Sequence, residues 1–161
     1  MPIPQLMKKF FAILIVNLIF STSSHAITMK GLDEVEILIE GMNKESQDVC
    51  NLYQRDITTS LEYIISNSNI KIRSGSTLKI PVLYVAGGIH HNKTLCIGSV
   101  ILQLWFASID DPMKKENMGK FVYFDRNAFM SGSHAKFKQH YLSFLETLAK
   151  EFVIEWNKSN K

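Results

Sequence analysis

No stretch of this 161-residue chain is apolar for the roughly 20 residues that a helix needs to cross a bilayer. The longest run, Phe10 to Phe20, is eleven residues broken by Asn17, and the next, Val100 to Ile109, is interrupted by Gln103 and Ser108. Cysteine is scarce: Cys50 and Cys96 are the only two, and neither lies in residues 21–28, where a lipidated protein would carry its acceptor thiol. Lipid anchoring is therefore not expected. An excess of positive charge is missing as well. Of the 18 Lys and Arg set against 15 Asp and Glu, two, Lys8 and Lys9, fall in the first 26 residues. Beyond them the balance is close to neutral, and the only local basic feature is Lys71 and Arg73 with Lys79 nearby, so no nucleic-acid partner is expected. Catalytic signatures are absent too: there is no G-x-S-x-G elbow and no glycine loop carrying the P-loop lysine.

What is present begins with an address. Lys8 and Lys9 flank the short apolar run, and Ser24-His25-Ala26 places small residues where signal peptidase cuts. Residues 1–26 read as a signal peptide cleaved between Ala26 and Ile27, leaving 27–161 as a single domain in the periplasm or the medium. Membrane association is expected only if the leader is retained.

Export changes the meaning of the two cysteines, because disulfides persist outside the cytoplasm. A Cys50–Cys96 bridge is the default expectation. It would close a loop of about 46 residues, for which loop entropy gives about 3.5 to 4 kcal/mol. Two separate buried thiols are the alternative. A catalytic thiol lacks a basic neighbour in sequence, and two cysteines so far apart lack the paired spacing of zinc modules.

Periodicity gives the architecture. Val35, Ile37 and Ile39 alternate with glutamates, the period-two pattern of a half-buried strand. Leu52, Ile57, Leu61, Ile64 and Ile65 recur at near-helical spacing until Ser66-Asn67-Ser68-Asn69. Ile70 and Ile72 mark a short strand before a turn at Ser74-Gly75-Ser76. Strands over Pro81 to His90 and Thr94 to Ala107 form a hairpin around His91-Asn92-Lys93. The second is apolar on both faces, with Cys96, Gly98, Val100, Leu102, Leu104 and Phe106 opposite Leu95, Ile97, Ile101 and Trp105, so it is central. Asp110 to Gly119 reads as a loop and Phe121 to Phe124 as a last strand. Ser133 reads as the N-cap of a final helix whose stripe comprises Phe137, Tyr141, Phe144, Leu145, Leu148, Phe152 and Trp156. The expected fold is α+β: one antiparallel sheet of four to five strands with two helices packed on one face.

Cys50 ahead of a helix, Ile70-Lys71-Ile72, Pro81-Val82-Leu83-Tyr84-Val85, Cys96 in a long strand, and Phe152 with Asn157 together resemble small exported bacterial α+β proteins of unassigned function. The resemblance implies export, this fold and a bacterial source, and it carries no catalytic or binding residue.

Candidate sites are few. His90 and His91 are neighbours on a strand and point to opposite faces, while His134 and His140 stand about 240° apart around a helix, so neither pair can hold one metal ion. Gly87-Gly88 reads as a bulge sooner than a ligand approach, Ser131-Gly132-Ser133 as a turn and cap, and Asp110-Asp111-Pro112 as a turn. Asn92-Lys93-Thr94 fits a glycosylation sequon, which matters only in a eukaryotic secretory route. No catalytic residue, cofactor or metal is expected. Aromatic residues on strands (Tyr84, Trp105, Phe121, Tyr123 and Phe124) offer a better lead, and Tyr84, Trp105 and Tyr123 are the candidate binding face, left open if both helices cover one side. The expected function is an exported non-enzymatic binding or accessory protein with an unknown protein partner or a second copy of itself. A small exported hydrolase is the alternative.

Overall fold

The computed structural model describes residues 29–73, 80–108 and 119–161. The leader, the Ala26–Ile27 junction, the Ser74-Gly75-Ser76 turn and the Asp110-Asp111 turn lie outside the described residues. Among the described residues six strands and three helices follow in order: β1 (Glu34–Ile39), α1 (Lys44–Cys50), α2 (Gln54–Ser66), β2 (Lys71–Arg73), β3 (Val82–Ala86), β4 (Ile89–His91), β5 (Leu95–Ser108), β6 (Gly119–Ser133) and α3 (His134–Ser159).

The sheet is mixed, which corrects the antiparallel expectation. β1 pairs in parallel with β2 on one side and β3 on the other, whereas β3, β4 and β6 all run antiparallel to β5. Parallel neighbours need a crossover of a dozen or more residues, and α1 with α2 supplies it between β1 and β2. β3 and β4 share one edge of β5, β6 takes the other, and the sheet has six strands where four to five were expected. The hairpin strand is thus split in two. The cause is Gly87: a Cβ there would strike the Ser99 carbonyl and come within 2.9 Å of the Tyr141 hydroxyl. What approaches Gly87 is the backbone of β5, with Ser99 N–H donating to the Gly88 carbonyl at 3.0 Å.

Three helices replace the expected two. α1 is seven residues long and mostly polar, so it has no apolar stripe to announce it. Its ends are nevertheless defined: Asn43 Oδ1 accepts from the Ser46 N–H at 3.2 Å, and Asn51 closes the helix in the left-handed region at φ 50°. The bridge between Cys50 and Cys96 joins this helix to β5, with Cα atoms 6.0 Å apart.

α3 carries the core. Phe137, Tyr141, Leu145, Leu148, Phe152 and Trp156 are buried, while Phe144 is exposed at the margin of the stripe. They pack on Val100, Leu102, Leu104, Phe124 and Met130 of β5 and β6, with Phe124, Phe152 and Trp156 in edge-to-face contact. Gly98 makes room for them, since a Cβ there would lie 2.7 Å from the Phe137 ring. α2 lies beside α3 and covers β1 and β2 through Ile57, Leu61 and Ile65.

β6 runs well beyond the four residues expected of it. Its register with β5 is continuous from Leu95↔Ser133 to Ser108↔Gly119, apart from a bulge that gives Tyr123 no direct partner between Phe124 and Val122. Arg126 turns toward α3 and meets Glu151 at 3.5 Å and Glu155 at 2.6 Å. That helix therefore answers the charge in the middle of the strand.

Candidate binding face

Both long helices pack on one side of the sheet, so the residues between the buried ones point the other way. Alternation sets the membership. On β1 these are Glu36 and Leu38, with Glu40 just beyond the strand, and on β3 Val82, Tyr84 and Ala86, of which Val82 is buried. On β5 they are Leu95, Ile97, Ser99, Ile101, Gln103 and Trp105. On β6 they are Val122, beyond the bulge, and Asp125, Asn127, Phe129 and Ser131. Register lines them into rows across the strands: Leu38, Tyr84, Gln103, Asp125; then Ala86, Ile101, Asn127; then His90, Ile97, Ser131.

The most exposed apolar side chain here is Phe129, at 78%, diagonal to Ile97 at 53%. Neither was singled out in the sequence as a binding residue. Tyr84 and Trp105 do stand on this face, but each is half-buried and they meet edge to face at 6.4 Å. Burial raises the Tyr84 hydroxyl above its ordinary pKa, helped by its hydrogen bond to the Glu40 carboxylate and that group's charge. Tyr123, at the bulge, packs against the core. The signal that would have found Phe129 is the alternation of Ala128 and Met130 with Phe129 and Ser131, legible once β6 is extended past Asp125.

The histidines are dispersed. His90 lies on the open face. His91 faces α1, with Nδ1 3.4 Å from Ser46 Oγ and Nε2 3.6 Å from Glu45 Oε1. His134 Nε2 is 3.0 Å from the Asn92 carbonyl, and His140 Nδ1 is 3.3 Å from that of Ser131. Among the described residues no group of three His, Cys, Asp or Glu could hold a metal ion. Ser46, His91 and Glu45 have the composition of a hydrolytic triad, with serine and acid on opposite ring nitrogens. Ser46 is only 6% exposed, however, and the cluster ties the first turn of α1 to β4. Asn92 Oδ1 accepts from the N–H groups of Thr94 and Leu95, which makes the sequon an Asx turn at the hairpin tip.

Concave surface lies on the helical side. A groove of about 510 Å³ runs past Asn51, Gln139, Leu142 and Glu146. Beside it, Lys138 Nζ reaches Asp56 Oδ1 at 2.9 Å. Burial pushes the Asp56 carboxyl up, but the bonds from Lys138 and from the Tyr53 N–H outweigh it and hold the group below the ordinary range. The pair links α2 to α3.

No family model matches this chain, and no curated protein matches it. Among solved structures, a crystal structure of a minor lipoprotein from Acinetobacter baumannii is similar at 12% identity and a TM-score of 0.38, over 80% of this chain and 95% of that one. A likeness so distant carries no assignment of fold or activity to this chain.

Proposed function

We propose that the chain is an exported, non-enzymatic binding or accessory protein that acts in the periplasm or the medium through its open sheet face. The observation that carries the reading is the pair Phe129 and Ile97, exposed on strands whose other face is covered by α3. Exposed apolar clusters on an otherwise polar surface mark places where another surface seats. The leader at 1–26 and the buried Cys50–Cys96 cystine support export.

Intact mass under non-reducing conditions, on protein taken separately from periplasm and medium, tests the address. A species lacking residues 1–26 and carrying the cystine is expected; one retaining them overturns the soluble reading and leaves a membrane-anchored protein. Photo-crosslinking from Phe129→benzoylphenylalanine in the same fraction tests the face. A discrete adduct that Ile97→Ser abolishes is expected, and an adduct indifferent to Ile97→Ser overturns the face as the working surface.

The hydrolase reading has Ser46, His91 and Glu45 in its favour. It requires the buried Ser46 hydroxyl to reach a substrate, and it stands or falls on whether Ser46→Ala removes hydrolysis of a panel of ester and peptide substrates.

A further inference from the structure

The open face is apolar along its middle and acidic at its sides. Ala86 and Ile101 share a row across β3 and β5, and beyond it Phe129 stands opposite Ser99 and diagonal to Ile97. Glu36 and Glu40 stand on the β1 side and Asp125 on the β6 side. Of the β2 cations, Arg73 stands directly opposite Glu36 in the register and pairs with Glu34 at 3.2 Å, while Lys71 pairs with Asp33 at 3.5 Å, so Glu40 and Asp125 are the acids that flank the strip away from these cations. Glu40 accepts a hydrogen bond from the Tyr84 hydroxyl.

From this pattern we infer that the face receives a cationic amphipathic helix from a protein partner, with apolar side chains over Ile97, Ile101 and Phe129 and Lys or Arg beside Glu40 and Asp125. The dimensions agree. Three inter-strand spacings separate β1 from β6, about 14 Å, and a helix with its side chains is about 10–12 Å across. A helix lying along β5 would fill the strip and bring its flanks to the acids. It would also supply a layer opposite the one that α2 and α3 provide. A second copy of this chain meets the same face less well, because stacking two such faces sets carboxylates against carboxylates. Nucleic acid is disfavoured by the same charge. The inference rests on the reading of this face as the working surface.

The test uses the purified chain and two labelled 18-residue peptides of helical Leu spacing, one with Lys at every polar position and one with Glu. Fluorescence anisotropy is expected to show saturable binding of the Lys peptide that weakens with added salt, and none of the Glu peptide. Ile97→Ser with Phe129→Ser should weaken binding about tenfold, and Glu40→Gln with Asp125→Asn should weaken it and flatten its salt dependence. Unchanged melting of each variant secures the fold. Equal binding of both peptides, or Lys-peptide binding indifferent to all four substitutions, overturns the cationic partner. The two readings separate in the crosslinking experiment above: an Ile97-dependent adduct to an acidic segment or to a second copy overturns the cationic helix and keeps the face, whereas an adduct independent of Ile97 overturns the face itself.

Discussion

Tyr141 shows how one side chain sets a limit on the whole fold. It is 1% exposed beneath Gly87, and burial pushes its hydroxyl up to about 12. The unfolded chain ionises the same group near pH 10. Because the folded state prefers the neutral phenol, its contribution is complete below pH 10 and is lost as pH rises through 12. Urea midpoints measured across that interval should fall with pH in the parent chain, and Tyr141→Phe should make the fall shallower. Tyr84 adds a smaller slope of the same sign, since its hydroxyl is also raised. An equally steep fall in Tyr141→Phe would remove Tyr141 as the cause. Burial this complete was legible in part, because Tyr141 lies in the stripe of the last helix; Gly87 as its counterpart was not, since the two are 54 positions apart and meet only through the fold.

Elements differ in how far the chain announces them. β5 declared itself central through apolar residues on both faces, and α3 through its stripe. The apolar pattern predicts only four residues of β6, because Asp125-Arg126-Asn127 interrupts it. The structure explains that interruption: Asp125 and Asn127 point to the open side, and Arg126 is answered by two glutamates of α3. A polar run in a strand thus reflects neighbours that local periodicity does not contain. The parallel pairing of β1 escaped for a related reason, since strand order is set by which edges meet and not by any strand's own pattern. α1 was missed for want of length, though Asn43 and Asn51 mark both of its ends. The open face was legible as a consequence of one-sided helices, and Tyr84 and Trp105 stand on it, but its most exposed members depended on the missing part of β6. The Arg126 fork invites an overestimate of its strength. Its guanidinium is 45% exposed, and solvent screens such pairs, so Arg126→Ala should cost only about 0.5–1 kcal/mol by chemical denaturation. A loss several times larger would mean that packing over the Phe124 ring, 5.0 Å away, dominates.

At the scale of the whole molecule, the sheet divides a helical side from an open side, and the cystine holds part of the helical side to the sheet's centre. Both sulfurs belong to fully buried residues. Replacing both cysteines by serine should lower stability by about 2–4 kcal/mol, as read from urea midpoints under oxidising conditions. Adding reductant to the parent chain should reproduce the loss only as far as the buried bond is opened, and a double variant as stable as the parent would show that the bridge constrains the unfolded chain little. His91, opposite Cys96 in the ladder, reaches the first turn of α1 while the bridge holds its last residue, so the helix is fixed at both ends.

The bridge also makes a covalent ring of residues 50–96, which contains α2, β2, β3 and β4. β1 and most of α1 precede it, and β6 and α3 follow it. A protease that cuts the segment between β2 and β3 therefore opens the ring without freeing a fragment. Such a nicked chain would keep its full mass in a non-reducing gel and fall into two pieces only when the thiols are restored.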